Sequence, residues 1–180
     1  MTKLQELSQI GQAIWIDYIR RSFITSGELQ GLIDKGLRGI TSNPTIFEKA
    51  IVGSDDYDEQ LTKLIENNPT VRKIYDRLTA DDIKMAAGLL KPVYEKSGGV
   101  DGYVSLEVDP TLAHDTDGTI EEAKRLFSEL NMENVMIKVP ATPEGIPAIA
   151  ALISEGVNVN VTLIWPPNLL TGSAFSTGAA

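Results

Sequence analysis

Five short apolar runs recur along the chain, and a longer stretch with helical periodicity separates each run from the next. Runs that are apolar on both faces are typical of strands buried in a parallel sheet. They lie at residues 13–17, 37–41, 102–108, 135–139 and 157–164. Strands of this kind that alternate with helices predict an α/β fold in which helices cover a parallel sheet. A doubly wound open sheet and a (β/α) barrel both satisfy this pattern.

Two features favour the barrel. No strand is followed by a glycine fingerprint such as GxGxxG or GxxxxGK[ST], the loops with which open sheets hold phosphates. Several predicted strands also end in a polar or ionisable residue, which is where barrel enzymes place their chemistry. The sequence therefore predicts an α/β fold of the barrel type.

Capping residues predict where two of the intervening helices begin. Within a helical zone from about residue 55 to 97, Thr79 followed by Asp82 predicts an N-cap. Thr142, Pro143 and Glu144 supply a cap, a first-turn proline and an acidic residue at the positive helix end. We expect helices to start at both places.

The candidate site residues are the polar groups at the strand ends. Asp17 closes the first predicted strand and Asn43 closes the second. Asn160 and Thr162 lie two residues apart on the fifth strand, so their side chains point to the same side. The full set is Asp17, Asn43, Glu107, Lys138, Asn160 and Thr162.

Lysine and carboxylates at neighbouring strand ends predict imine chemistry. Lys138 is flanked by Ile137 and Val139, so its amine would be poorly hydrated, which favours the neutral and nucleophilic form. A free amine attacks a carbonyl and forms a Schiff base. Nearby carboxylates would move the protons that this chemistry requires. No cofactor and no metal are needed.

Each of these residues also has a purely structural interpretation. Lys138 would then be an edge residue with its ammonium group in solvent, and Asp17 would cap the following segment. Residues 41–44 would be a turn that starts the next helix, and Asn160 would satisfy backbone groups. His114 is interpreted as a solvated loop residue. The recurrence of polar groups at the same end of successive strands favours the chemical interpretation.

Charge and composition exclude several functions. The chain carries 16 basic and 25 acidic residues, a formal net charge of −9, and no basic face that would bind nucleic acid or an anionic membrane. Without cysteine, and with His114 as the one histidine, it has no disulfide, thiolate nucleophile or multi-histidine metal site. The polar N-terminus and the absence of an apolar run of about 18 residues predict a cytoplasmic protein without a membrane span.

The chain resembles the transaldolase family from about residue 10 to residue 164. The blocks TSNP and IKVPAT are highly specific together, and the long first block is most similar to the bacterial branch that also occurs fused to a glucose-6-phosphate isomerase. The resemblance rests on WIDYIRR at 15–21, GITSNPTIF at 39–47, VSLEVDP at 104–110, IKVPAT at 137–142 and GVNVNVTL at 156–163.

This resemblance implies a TIM (β/α)8 barrel that acts on sugar phosphates. The implied reaction transfers a dihydroxyacetone unit from sedoheptulose 7-phosphate to glyceraldehyde 3-phosphate, in the pentose phosphate pathway of carbohydrate metabolism. By the resemblance, Lys138 is the Schiff-base nucleophile, and Asp17 takes the proton that drives C–C cleavage. Glu107, assisted by Thr162, activates the water used in imine formation and hydrolysis.

Two asparagines complete the implied site, because Asn43 and Asn160 would hold hydroxyls of the dihydroxyacetone unit. Two alternatives to transaldolase activity remain open from the sequence. One is an inactive truncated fragment that only self-associates. The other is a simpler Schiff-base aldolase that splits a sugar phosphate and releases free dihydroxyacetone.

The length of the chain sets a further expectation. A (β/α)8 barrel usually needs about 250 residues, and this chain offers five strands. We expect residues 1–164 to be the N-terminal part of an incomplete barrel of about five β/α units. The family pattern stops at Trp165, so we expect residues 165–180 to be an aberrant, disordered tail. The first and fifth strands would then be open edges through which the chain self-associates.

Overall fold

The computed structural model of the chain describes residues 1–66 and 68–164. Five strands lie where the sequence predicts them: β1 Trp15–Asp17, β2 Gly39–Thr41, β3 Tyr103–Glu107, β4 Val135–Pro140 and β5 Val159–Thr162. The α-helices of the described residues are α1 Lys3–Gln9, α2 Arg21–Thr25, α3 Glu28–Lys35, α4 Pro44–Val52, α5 Asp58–Ile65, α6 Val71–Lys96, α7 Thr116–Leu130 and α8 Gly145–Ser154. The predicted tail at 165–180 lies outside the described residues.

The strands are hydrogen-bonded in the order β1-β2-β3-β4-β5, which is also their order along the chain. β1 pairs with β2 in parallel, and β4 pairs with β5 in parallel. Parallel neighbours need a crossover connection, and the intervening helices supply it. A doubly wound sheet reverses its strand order at a switch point, whereas a (β/α) barrel does not. The α/β prediction with five sequential strands is therefore confirmed, and among the described residues the sheet does not close.

Contacts divide the chain into two compact units, Met1–Val104 and the residues from Ser105 onward, with the boundary inside β3. In the first unit, Trp15 of β1 is in register with Gly39 of β2. A Cβ atom at position 39 would overlap the indole ring of Trp15. Glycine is required there because the ring lies directly against the backbone of β2.

A buried polar cluster joins the segment after β1 to helix α6. Tyr57 and Asp82 are both fully buried. The Tyr57 hydroxyl donates to Asp82 at 2.8 Å, and Arg21 Nε donates to the same carboxylate at 2.5 Å. Burial raises the pKa of both the Tyr57 phenol and the Asp82 carboxyl. The hydrogen bonds offset the cost of taking this carboxylate out of water.

A second ion pair lies beside this cluster at the start of α2. Arg20 Nε donates to the Asp56 carboxylate at 2.6 Å, and the backbone N–H of Ser22 donates to the same oxygen at 3.1 Å. The hydrogen bond from Arg20 holds the pKa of Asp56 well below its usual range. These contacts fix the chain immediately after the end of β1.

In the second unit, alternate residues of β4 form the apolar core with α7 and α8. Val135, Ile137 and Val139 are fully buried. The two helices contribute the buried side chains Ala123, Leu126, Leu130, Ala148, Ile149 and Leu152. Full burial of one such leucine or isoleucine stabilises the fold by about 1.5–3 kcal/mol. This face of β4 therefore supplies stability, and Lys138 lies on the opposite face of the strand.

Two sequence predictions of local structure are wrong. Thr79 does not begin a helix but lies inside α6, where its hydroxyl donates to the carbonyl of Tyr75 at 2.9 Å. A hydroxyl bonded back to the preceding turn is compatible with a continuing helix, and Thr70 caps α6 instead. Asn43 does not close β2, which ends at Thr41.

Asn43 is the N-cap of α4. Its side-chain oxygen accepts the backbone N–H of Ile46 at 3.0 Å, and Pro44 follows at the first helical position. A proline at this position removes one of the N–H groups that a helix start leaves unbonded. The structural interpretation of residues 41–44 as a turn that starts a helix is thus correct.

None of the helices within residues 1–66 and 68–164 is both long enough and apolar enough to span a membrane.

We predict that Asp56→Asn lowers the free energy of unfolding at pH 7 and that the difference from the parent shrinks in acid. The folded-state pKa of Asp56 lies below its ordinary value of 3.8. The carboxylate therefore contributes stability above that pH, and the contribution is lost as the pH falls further. Urea unfolding at pH 7 and pH 3 measures the difference. The exposed neighbour Asp55, changed to Asn, is the control and should show no such pH-dependent gap.

Candidate active site

The polar side chains of the second unit share one face of the sheet. Ser105 and Glu107 are two residues apart on β3, and Asn160 and Thr162 are two apart on β5. Lys138 is in register with Asn160 across the parallel pair of β4 and β5. Side chains two residues apart, or paired in parallel register, point to the same face. The strand periodicity therefore places all five side chains on the face of the sheet opposite the apolar core.

Lys138 and Glu107 form an ion pair on this face. Lys138 Nζ lies 3.3 Å from Glu107 Oε2, and each side chain is only 13 % exposed. The backbone also ties the two strand ends, because the N–H of Val108 donates to the carbonyl of Lys138 at 3.2 Å. An amine and a carboxylate at this distance are placed to exchange a proton directly or through one water.

Asn160 reaches across β4 to Ser105. Its amide nitrogen donates to the Ser105 hydroxyl at 2.8 Å, and Ser105 is fully buried. β4 lies between the two strands, and neighbouring strands are about 4.8 Å apart, so two such steps separate β3 from β5 by about 10 Å in a flat sheet. Side chains of this length meet across that gap most readily when the sheet is concave on this side. Asn160 and Ser105 therefore bond to each other over the polar side of β4.

Thr162 ends β5 on the same face. It is paired with Pro140, two residues beyond the pair of Lys138 and Asn160, and its carbonyl accepts the backbone N–H of Ala141 at 2.8 Å. The position is partly exposed. Thr162 thus lies where β4 and β5 end.

The loops that follow β3 and β4 are bonded to each other. The Thr142 hydroxyl donates to the carbonyl of Ala113 and accepts the backbone N–H of Gly145 at 2.9 Å. The Thr116 hydroxyl donates to the carbonyl of Glu144 at 2.7 Å. The helix predicted here is present but starts later than the sequence indicates, since α8 begins at Gly145 with Glu144 at its N-cap position, and the Thr142 hydroxyl bonds its first N–H.

His114 lies on the first of these loops and is 80 % exposed, as its interpretation as a solvated residue requires. It also has a partner, because its Nδ1 lies 3.2 Å from Glu144 Oε2. The hydrogen bond from His114 lowers the pKa of Glu144. This contact is not predictable from a local pattern, since the two residues are 30 positions apart.

The first unit carries the other two predicted site residues. Asp17 is the last residue of β1 and is exposed. It is in register with Thr41 of β2, whose hydroxyl oxygen is buried and has no hydrogen-bond partner among the described residues. Asn43 follows two residues later as the cap of α4. Asp17 and Thr41 therefore lie side by side on one face at the ends of their strands.

The structural interpretations of three residues do not hold. Lys138 is on β4, which has a neighbour on each side, so it is not an edge residue. Asp17 does not cap α2, whose N-cap position is Arg20. The amide nitrogen of Asn160 bonds to a side-chain hydroxyl rather than to the backbone.

Two polar residues escaped the sequence analysis. Ser105 lies inside a block that reads as apolar, and Thr41 looks like part of a turn. Ser105 could have been found by its spacing, because it precedes Glu107 by two residues on the same strand. Thr41 could have been found by the parallel register of β1 and β2, which pairs it with Asp17. Within residues 1–66 and 68–164, no group of three or more His, Asp or Glu side chains is arranged to hold a metal ion.

Fold and site together define a parallel β/α protein of the barrel class with a lysine–glutamate pair on its polar face. Comparison with known proteins assigns the family. Residues 14–170 match the family model described as Transaldolase/Fructose-6-phosphate aldolase, and the chain belongs to this family.

Curated relatives agree with the family assignment. The chain is 51 % identical over 163 residues to Transaldolase of Trichodesmium erythraeum, an overlap of 90 % of this chain and 43 % of the relative. It is 47 % identical over 174 residues to Transaldolase 2 of Nostoc punctiforme, covering 96 % and 46 %. It is 40 % identical over 182 residues to Transaldolase of Neisseria meningitidis, covering 100 % and 52 %. The chain thus spans about half the length of these relatives.

We predict that Thr142→Val lowers the free energy of unfolding by about 1–2 kcal/mol. The change leaves the N–H of Gly145 and the carbonyl of Ala113 without their partner, and loss of a helix cap alone typically costs about 1 kcal/mol. Thr142→Ser keeps the hydroxyl and should stay within about 0.5 kcal/mol of the parent. Equal stability of the valine variant and the parent in urea unfolding would contradict this role of Thr142.

Proposed function

We propose that this chain carries the Schiff-base machinery of a transaldolase, in which Lys138 is the nucleophile. The reaction would transfer a dihydroxyacetone unit from sedoheptulose 7-phosphate to glyceraldehyde 3-phosphate. The observation that carries the proposal is the contact of 3.3 Å between Lys138 and Glu107 on a largely buried polar face. The names of the curated relatives support the same reaction.

The first chemical step joins the amine of Lys138 to the ketone carbon of the donor sugar. A C–N bond forms, the carbonyl electron pair moves to oxygen, and the oxygen takes a proton to give a carbinolamine. Loss of water then leaves the imine. Glu107 is the group within reach to move these protons, and Thr162 would help to hold the water.

The second step breaks a C–C bond of the bound sugar. Asp17 would take the proton of the hydroxyl on the carbon that leaves as the aldehyde, and the oxygen of this hydroxyl forms the new C=O bond as the C–C bond breaks. The electron pair of this bond moves into the protonated imine, giving an enamine on Lys138 and releasing erythrose 4-phosphate. Addition of the enamine to glyceraldehyde 3-phosphate and hydrolysis of the new imine give fructose 6-phosphate and the free amine. The imine is the electron sink, so the sequence of steps balances without a cofactor.

Asn43 and Asn160 would hold hydroxyls of the dihydroxyacetone unit. The amide oxygen of Asn43 also caps α4, so its amide nitrogen is the group that would face a ligand. Asn160 lies beside Lys138 in the register of β4 and β5. We propose sugar phosphates as the substrates and residues 1–164 as the N-terminal part of a TIM barrel.

A simpler aldolase remains the second candidate, because the family description also includes fructose-6-phosphate aldolase. The two activities share the imine and differ in the fate of the enamine. Free dihydroxyacetone that accumulates without an acceptor aldehyde would identify the aldolase.

We also propose a cytoplasmic location and self-association. β1 and β5 each have one strand neighbour within the described part of the chain, and an unpaired strand edge presents free N–H and C=O groups to another copy.

We predict that Lys138 forms a covalent adduct. Incubation with fructose 6-phosphate and reduction with borohydride should add the mass of one reduced dihydroxyacetone unit to the parent chain, because C–C cleavage releases glyceraldehyde 3-phosphate and leaves this unit on the amine. Lys138→Arg keeps a positive charge beside Glu107 but cannot form the imine, so its adduct should disappear. Lys124→Ala, which removes an exposed lysine of the same unit, is the matched control. An unchanged adduct yield in Lys138→Arg would refute the assignment.

We predict that Asp17→Ala separates imine formation from C–C cleavage. The adduct yield should stay at the parent level, because Asp17 is not needed to form the imine. The rate of sedoheptulose 7-phosphate cleavage should fall by about 100-fold or more, the usual contribution of a general base. A variant that cleaves at the parent rate would show that Asp17 is not the base.

A further inference from the structure

The short helix α2, which follows β1, is capped by residues from another part of the chain. Its own N-cap residue, Arg20, makes no capping hydrogen bond with its side chain. The N–H of Arg21 donates instead to the Tyr57 hydroxyl at 3.1 Å, and the N–H of Ser22 donates to the Asp56 carboxylate, also at 3.1 Å. A helix start leaves such N–H groups without a partner inside the helix. Two consecutive residues, Asp56 and Tyr57, thus supply the cap, and we call them the β1 clamp.

The side chains of both arginines strengthen the contact with the β1 clamp. Arg20 Nε donates to the Asp56 carboxylate at 2.6 Å. The Arg21 guanidinium lies over the ring of Tyr57, 4.9 Å from its centre, and its Nη1 donates to Gln60 Oε1 at 2.7 Å. Tyr57 is fully buried. The start of α2 is therefore bound to the β1 clamp by backbone and side chains at once.

Asp17 lies immediately before this contact. Only three residues separate Asp17 from Arg21, and one of them, Ile19, is fully buried. β1 is itself three residues long and has one strand neighbour within the described part of the chain. The end of so short a strand has few contacts of its own, and such ends open locally at little cost. Contacts just beyond β1 therefore decide how firmly the Asp17 carboxylate is placed.

We infer that Asp56 and Tyr57 are positioning residues for Asp17. They hold the start of α2 and, through the short connection, the carboxylate at the end of β1. They act through Asp17 and not on the substrate itself. A displacement of about 1 Å can cost a catalytic group about 100-fold in rate, so the β1 clamp affects C–C cleavage far more than imine formation. This inference rests on the proposed function, because it takes Asp17 as the base of the cleavage step.

Tyr57→Phe tests the inference, because it removes the hydroxyl and keeps the buried ring. We expect borohydride trapping of dihydroxyacetone, which requires no C–C cleavage, to stay at the parent yield. The rate of sedoheptulose 7-phosphate cleavage should fall about tenfold or more, as expected for a displaced base. Asp56→Asn, which weakens the other half of the β1 clamp, should show the same split. In the Asp17→Ala background neither change should slow cleavage any further, because both act through Asp17.

Two matched controls separate positioning from a general loss of stability. Tyr103→Phe removes another phenol hydroxyl of the first unit, which donates to the carbonyl of Gly99 at 2.7 Å. Asp55→Asn changes the exposed neighbour of Asp56. Both controls should keep the parent rate of cleavage, and a loss equal to that of the matching clamp variant would overturn the inference.

Three further results contradict the inference. The first is a parent rate of cleavage in Tyr57→Phe or in Asp56→Asn, which overturns the role of that residue. The second is an equal loss of trapping and cleavage, since a displaced Asp17 does not impair imine formation. The third is a further slowing of cleavage when Tyr57→Phe is added to Asp17→Ala.

A parent chain without cleavage distinguishes the two proposals. If it does not cleave sedoheptulose 7-phosphate, the proposed function fails. The 13C NMR signal of the Asp17 carboxyl group then decides the inference by itself. A shift of this signal in Tyr57→Phe that is absent in Tyr103→Phe supports the positioning of Asp17. An unmoved signal, or the same shift in both variants, overturns it.

Discussion

The register of β3 and β5 against β4 decides which side chains share the polar face. Backbone bonds fix it on both sides of β4, from Val108 to the carbonyl of Lys138 and from Ile137 to the carbonyl of Asn158. A slip by one residue would turn every side chain of a strand to the opposite face. Lys138 would then enter the apolar core, and Ile137 would replace it beside Asn160. The apolar contacts of β4 with α7 and α8 therefore protect the polar site as well as the fold.

Much of the fold could be predicted because the strands differ sharply in composition from their surroundings. A six-residue strand such as β4, with three fully buried aliphatic side chains, leaves little choice of structure. Helix boundaries are harder to predict, because a threonine can cap a helix or lie inside one. The hydroxyl of Thr79 donates to a carbonyl of the preceding turn of α6 instead of capping a new helix. Asn43 lies two residues after the end of β2, although the sequence predicts it as the last residue of that strand. Its amide suits a binding residue, but in the structure its side chain caps α4.

The candidate site was predictable only in part, because sequence shows which residues are polar but not which of them meet. Glu107 and Lys138 stand out as charges inside apolar runs, and their contact follows from the parallel sheet. Ser105 carries no charge and reads as part of the strand, yet it is fully buried and bonded to Asn160 from two strands away. Such a partner depends on the strand order and on the pairing register, which no local pattern encodes.

Stability does not account for a lysine in the middle of β4. Taking an ammonium and a carboxylate out of water costs several kcal/mol each, and their mutual attraction recovers this only with good geometry and further hydrogen bonds. Two aliphatic side chains of similar size would fill the same space without this desolvation cost. Helices α7 and α8 already supply an apolar core on the other face, so the fold does not need this pair. The proposed imine chemistry requires what this pair offers, an amine and a carboxylate in contact and largely shielded from bulk water.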